Sequence, residues 1–302
     1  MLLLAVVLWG LQPLVIKLAL DVFSVGFAAF ARAVTATAFF GFVALLYRSR
    51  GAAITQLWGP GSGSAARWLL AGGMGMGLGT VLWNASLTRT TVGASSVLQM
   101  GGSLLVVLYG ITILRERCSP LRAAGLLLAL AGLFIVSWNG ESLSALVSSR
   151  YFQGNMLALV AGIAWGLAAI AQKVTVPGRS SVSVSVVIFA FAALACGAAA
   201  LPGPVLVGQF SPLLLAALLL TGLLGMGLGN VLFTESMRTV TVSVGAALSA
   251  TSPLIALVAA ALLLHEPVSA YLLAGAPITC LGVTAAVASE PSAVAAPAAV
   301  RR

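Results

Sequence analysis

Carboxylates are almost missing from this chain: Asp and Glu together number 6 among 302 residues, and histidine occurs once, as His265. Acid–base or nucleophilic chemistry needs a positioned base beside a reacting group. None of the six acids falls in the middle of an apolar run, and no G-x-S-x-G sequence occurs. Both facts argue against a membrane-embedded enzyme. Cysteine is scarce as well. Cys118, Cys196 and Cys280 lie far apart and form no C-x-x-C pair, so the usual zinc spacings cannot be assembled. They read as small apolar packing residues, and neither a metal nor a cofactor is expected.

Charge of either sign is sparse, at 7% of residues against 61% hydrophobic. Ordinary soluble domains carry about 25% charged residues, so the natural solvent of this chain is lipid. The net charge of +9 comes from basic residues scattered between apolar runs, without interleaved aromatics. That pattern excludes a nucleic-acid platform and fits loop charges that set membrane topology.

What is abundant is long apolar runs. A membrane span takes roughly 17–25 mostly apolar residues, and ten such spans can be drawn, at about 2–19, 25–47, 67–86, 91–114, 120–138, 155–174, 182–200, 211–234, 241–264 and 269–288. The first run has no basic n-region and reads as a span, not a cleavable signal. Its flank is short, which points to a natural start a few residues upstream.

The two halves repeat each other. Gly75-Met76-Gly77-Leu78-Gly79 returns 150 residues later as Gly225-Met226-Gly227-Leu228-Gly229, and Thr91-Val92, Glu116, Gly125 and Gly132 return as Thr241-Val242, Glu266, Gly275 and Gly282. Upstream the offset becomes 156, matching Trp9-Gly10 to Trp165-Gly166 and Lys17 to Lys173, with a six-residue surplus between Arg48 and Arg67. The repeats are assigned to residues 1–140 and 151–288, followed by a disordered cytoplasmic tail over 289–302. Placing the N-terminus inside puts eleven Lys and Arg on the cytoplasmic side and three outside, a clear positive-inside bias with both termini cytoplasmic. Five spans per repeat is an odd number, so the second repeat enters from the opposite side. The expected fold is an all-α polytopic membrane protein of ten transmembrane helices in two inverted five-helix repeats, an arrangement suited to alternating access.

Trp9-Gly10 with Lys17 in the first span, Arg32 in the second, Arg115-Glu116-Arg117 leading to Gly125 and Gly132, and the echo His265-Glu266-Pro267 leading to Gly275 and Gly282 together resemble the EamA-type ten-helix members of the drug/metabolite transporter superfamily. The resemblance covers about residues 1–288. Ser103 stands where the second half has Pro253, and Arg32 has no evident partner in the second half. The resemblance implies a carrier of small metabolites in the cytoplasmic membrane, often an exporter of amino acids or related compounds.

Polar and aromatic groups at membrane depth are the candidate substrate contacts. Gln12, Asn84, Gln99, Gln172 and Asn230 would be costly facing lipid, so each should face a helix interface or a shared polar cavity. Trp9 and Trp165, repeat mates set well inside their spans, suit a cavity wall. Arg32 lies roughly 12 Å into its span; it is either paired with Asp21 or helix-end carbonyls, or docks a substrate carboxylate. Pro13 should kink the first span. Gly75/Gly79 and Gly225/Gly229 are four apart on one helical face, which suits close packing of the two equivalent helices and a sliding surface. Lys17 and Asp21 are spaced for a local pair, and Glu116 and Glu266 are each assigned to their own helix–loop junction. Glu235 with Arg238 reads as a solvated pair; it leaves proton coupling open beside facilitated diffusion. The expected partners are a small-molecule substrate and the bilayer, in a monomer or homodimer. A non-transporting scaffold is the competing reading.

Overall fold

A computed structural model describes residues 1–49, 62–140, 149–176, 180–236 and 242–288. The tail from 289, Arg238 and most of the six-residue surplus lie outside the described residues. Among them helices are the regular elements, joined by turns and loops, with one isolated bridge between Phe23 and Leu206. The first repeat comprises α1 (Leu2–Ala19), α2 (Val25–Ser49), α3 (Ser62–Leu87), α4 (Val92–Leu98 and Gly101–Thr112) and α5 (Pro120–Trp138). The second comprises α6 (Arg150–Thr175), α7 (Ser181–Ala200), α8 (Pro212–Ser236), α9 (Val242–Ser249 and Ser252–Leu263) and α10 (Ala270–Ala288). Helix is the form in which an apolar segment satisfies its backbone without water.

Eight of these helices are long and apolar enough to cross a membrane. The other two have identifiable reasons. Glycines dilute the apolar content of α3, and the apolar part of α9 counted among the described residues, Ala247–Leu263, is shorter than a full span. Helix starts follow local chemistry. Hydroxyls of Thr91, Ser119, Ser149, Ser180 and Ser211 accept from backbone N–H groups in the first turns of α4, α5, α6, α7 and α8, and Pro120 and Pro212 occupy first-turn positions that need no donor.

Two interruptions were not expected from the apolar runs. The fourth span breaks at Gln99–Met100 and the ninth at Ala250–Thr251, within one residue of equivalent positions in the repeat. In α8, Thr221–Leu228 winds as a π-helix, while the matching stretch of α3 is regular α. The extra width coincides with Gly222, Gly225 and Gly227. Pro13 sits inside α1 without ending it.

The repeats interlock instead of standing side by side. A methyl group on Gly75 would meet the Ala164 carbonyl at 2.7 Å, and one on Gly72 would meet Ala171 at 2.5 Å, so α3 lies directly on α6. Likewise Gly225 and Gly229 face Gln12 and Trp9 of α1. The glycine faces thus receive the first helix of the opposite repeat, which corrects the expectation that the two glycine-rich helices pack on one another. The remaining glycines, Gly73 and Gly77 on one side and Gly222 and Gly227 on the other, receive the opposite repeat's second helix. Helices α5 and α10 cross through Gly125, Gly132, Gly275 and Gly282, where a methyl group on any of the four would lie within 2.6 Å of an atom across the contact. Without lipid-excluded water to drive helices together, such close backbone approach is what holds a membrane bundle.

Candidate functional site

A cavity of about 480 Å³ opens between the repeats. Its lining brings together Trp9, Gln12, Arg32, Gln99, Trp165 and Asn230 from α1, α2, α4, α6 and α8. Asn84 and Gln172 are not in the lining. Asn84 is fully buried behind it, and Gln172 is half-buried elsewhere on α6.

The two tryptophans occupy equivalent positions. Trp9 Nε1 donates to the carbonyl of Gly225 at 2.9 Å, and its ring lies 5.3 Å from Phe233. Trp165 Nε1 donates to the carbonyl of Met76 at 3.2 Å, and its ring lies 5.5 Å from Trp83. Each indole fits only because the facing residue is glycine: a methyl group on Gly229 or Gly79 would come within 2.7 Å of it. Asn230 Nδ2 donates to the Met226 carbonyl at 2.7 Å, as its repeat mate Thr80 does to the Met76 carbonyl at 2.8 Å.

Arg32 is 2% exposed. Its Nη1 donates to Asn84 Oδ1 and its Nη2 to Gln12 Oε1, both at 3.1 Å, and its guanidinium sits 5.7 Å from the Trp83 ring centre. Among the described residues, Nε is buried with no hydrogen-bond partner. Asp21 is not its partner: both acceptors are neutral amide oxygens, and Arg32 forms no ion pair among the described residues. Two amides and an aromatic face distribute its charge without cancelling it.

The lysines and glutamates at the helix ends also depart from the sequence reading. Lys17 pairs with Glu266 at 2.5 Å, not with Asp21, and Lys17 Nζ also donates to the Thr90 carbonyl at 3.0 Å. Glu266 accepts from the Val92 N–H at 2.7 Å. Glu116 accepts from Arg122 at 2.9 Å and from Lys173 at 3.0 Å. Partial burial opposes ionisation of Glu116, but the hydrogen bonds from Arg122 and Lys173 outweigh it and hold the carboxyl below its ordinary range. Glu116 therefore binds both locally and across the repeat boundary, while Lys17 and Val92 both reach Glu266 from the opposite repeat.

The EamA-like transporter family model matches residues 1–138 and again 152–288. The chain belongs to the EamA-like transporter family. A solved crystal structure of a protein 20% identical to this transporter superposes with a TM-score of 0.63 over 94% of this chain and 93% of the other; at that identity the likeness shows the fold. No curated protein matches the sequence. Membership makes the chain a multi-pass membrane transporter of small molecules, in a family of transporters and not of enzymes.

Residue reasoning missed Trp83, Phe189, Phe233, Met76 and Met226, which shape the cavity or support it. Phe233 and Met226 were reachable through the repeat, as mates of Trp83 and Met76. Phe189 carried no comparable signal. Its place depends on how α7 lies against α2, where it stacks on Phe40 at 5.0 Å.

Proposed function

We propose that this transporter moves small organic metabolites that carry a carboxylate, amino acids or related compounds, outward across the cytoplasmic membrane by alternating access. The observation that carries the reading is Arg32: a buried guanidinium lining a 480 Å³ cavity, hydrogen-bonded to neutral amides alone. A substrate carboxylate would supply the missing counter-charge, with Gln12, Gln99 and Asn230 at hand for its polar groups and Trp9 and Trp165 for an apolar body. Asn84 positions Arg32 from behind. Gln172 drops out, since it does not reach the cavity.

Inverted repeats support alternating access. Lys17 sits near the end of α1 and Lys173, its mate, near the end of α6, yet Lys17 meets the start of α4 at Thr90 while Lys173 meets Glu116 beyond its end. Equivalent helices then run in opposite directions. Outward movement and the cytoplasmic membrane rest on the family resemblance.

Proteoliposome flux of labelled amino acids and their carboxylate analogues tests the reading. Saturable flux should fall at least tenfold in Arg32→Gln and markedly in Trp9→Ala and Gln99→Ala. Flux of the same substrates unchanged by all three substitutions would place the site elsewhere. Imposing a pH gradient on the unaltered protein separates proton coupling from facilitated diffusion.

A further inference from the structure

Outside the cavity lie two ion pairs that the proposed function does not use, and they are images of each other. One takes Lys17 from α1 of the first repeat and Glu266 from the end of α9 in the second. The other takes Lys173 from α6 of the second repeat and Glu116 from the end of α4 in the first. Lys17 and Lys173 are repeat mates, as are Glu116 and Glu266. Each pair therefore ties one repeat to the other.

The pairs stand at opposite ends of the molecule. Lys17 also bonds to Thr90, just before α4, whereas Lys173 reaches Glu116, just after it. The span between them, Val92–Thr112, is 21 residues, roughly 30 Å at 1.5 Å per residue. The cavity opens between these ends, at Gln99, Met100, Gly102 and Ser103 of the same span.

The glutamates are placed by one unusual backbone device, used twice. Arg115 and His265, the residues before them, adopt φ of 55° and 53°. That left-handed conformation is uncommon for a residue with a Cβ. The N–H of Glu116 then bonds back to the Gly110 carbonyl at 3.0 Å, and that of Glu266 to the Ala260 carbonyl at 3.3 Å, a closure six residues back, one residue wider than that of a Schellman turn. The turn reverses the chain at the end of the helix and returns the carboxylate to the repeat boundary.

We propose that Lys17–Glu266 and Lys173–Glu116 are the two gates of this carrier, one at each end of the cavity, broken in turn during transport. The proposal rests on the alternating-access reading above. Three features suit the task. Side-chain exposure of 31% and 11% in one pair and 37% and 25% in the other leaves room for water to replace the partner, so breaking costs little compared with a fully buried pair. Each glutamate keeps a second ligand when its lysine leaves, the Val92 N–H for Glu266 and Arg122 for Glu116. Each lysine lies eight residues beyond the cavity tryptophan on its own helix, about two turns, so a tilt of α1 or α6 moves a cavity wall and a gate together.

The test uses accessibility and needs no knowledge of the substrate. In a full-length chain with Cys118, Cys196 and Cys280 replaced by serine or alanine, Ser103→Cys places a probe on the cavity wall. Its labelling by a membrane-impermeant maleimide is measured from each face, in right-side-out and inverted vesicles. Glu266→Gln should raise labelling from the Lys17 face about fivefold and lower it from the other, the shift that ~1 kcal/mol produces. Glu116→Gln should do the reverse, and Lys17→Glu with Glu266→Lys together should restore the original ratio. If Glu266→Gln fails to reach the membrane, Lys17→Met tests the same gate, because Glu266 keeps its backbone ligand. Labelling from both faces that no neutralisation shifts, or that each raises equally on both sides, overturns the gates and leaves the carrier reading standing. Labelling from one face only in every variant overturns both. Two-sided, gate-dependent labelling with a flux indifferent to Arg32 would retain the gates and remove the proposed substrate site.

Discussion

A methyl group on Gly102 would lie 2.1 Å from the Gly162 carbonyl oxygen, whereas one on Gly41 would meet nothing within 4 Å. Both are helix glycines and the sequence does not tell them apart. Gly102→Ala must push α4 off α6, an overpacking that costs about 1–3 kcal/mol, while Gly41→Ala gains helix propensity with no contact to lose. Thermal unfolding in lipid nanodiscs should show a clear drop for the first and none for the second. Glu116 makes a pH-dependent prediction of definite sign. Its lowered pKa means that its contribution is fully present above the ordinary carboxyl value, 4.5, and disappears as pH falls through the lowered folded value. Glu116→Gln should therefore be less stable than the unaltered protein by a constant amount at neutral pH. The two unfolding curves should converge in acid; a gap that widens there would contradict the assignment.

At the scale of elements, the α5–α10 crossing depends on four glycines that the repeat pairs two by two. A methyl group would meet Thr279 Oγ1 at 2.4 Å from Gly132, and the Ala129 N at 2.2 Å from Gly282. Gly132→Val and Gly282→Val should thus lower the unfolding temperature by similar amounts. The double substitution should cost less than the sum, since the helices need be parted only once. Full additivity in thermal unfolding would show the two sites to be independent. The existence of the helices was legible as apolar runs, and the close approach at α3 and α8 as glycines four apart. The partner of each glycine face was not, because spacing says that a helix may come close without saying which helix does. Nor were the breaks at Gln99–Met100 and Ala250–Thr251 expected, since hydropathy averaged over a span passes over Gln99, Gly101-Gly102 and Thr251-Ser252-Pro253 and does not distinguish a continuous helix from two.

For the whole molecule, inverted repeats of five spans each require both termini on one side. Reporter domains fused to the two ends should report the same face, and the positive-inside count assigns it to the cytoplasm. Opposite faces would require an odd number of crossings and would undo the repeat assignment. The same symmetry explains why reading single sites led to the cavity lining for Trp9 and Trp165 and missed the partner of Lys17. The tryptophans meet the opposite repeat through backbone carbonyls of a glycine-rich helix, a feature itself duplicated and visible. Lys17 had a sequence neighbour of the right sign, Asp21, and the closer partner was 249 residues away.

Composition and period alone determined the solvent, the number of spans, the duplication and the family resemblance, because burying helices in lipid constrains every residue in a run and leaves a signal averaged over twenty positions. Tertiary structure decided which polar groups share one cavity, that Arg32 rests on amides without a carboxylate, and that the lysines and glutamates join the repeats at opposite ends. Those outcomes hang on single contacts between helices distant in sequence. A contact of that kind depends on how two helices cross, and a one-dimensional pattern does not record the crossing.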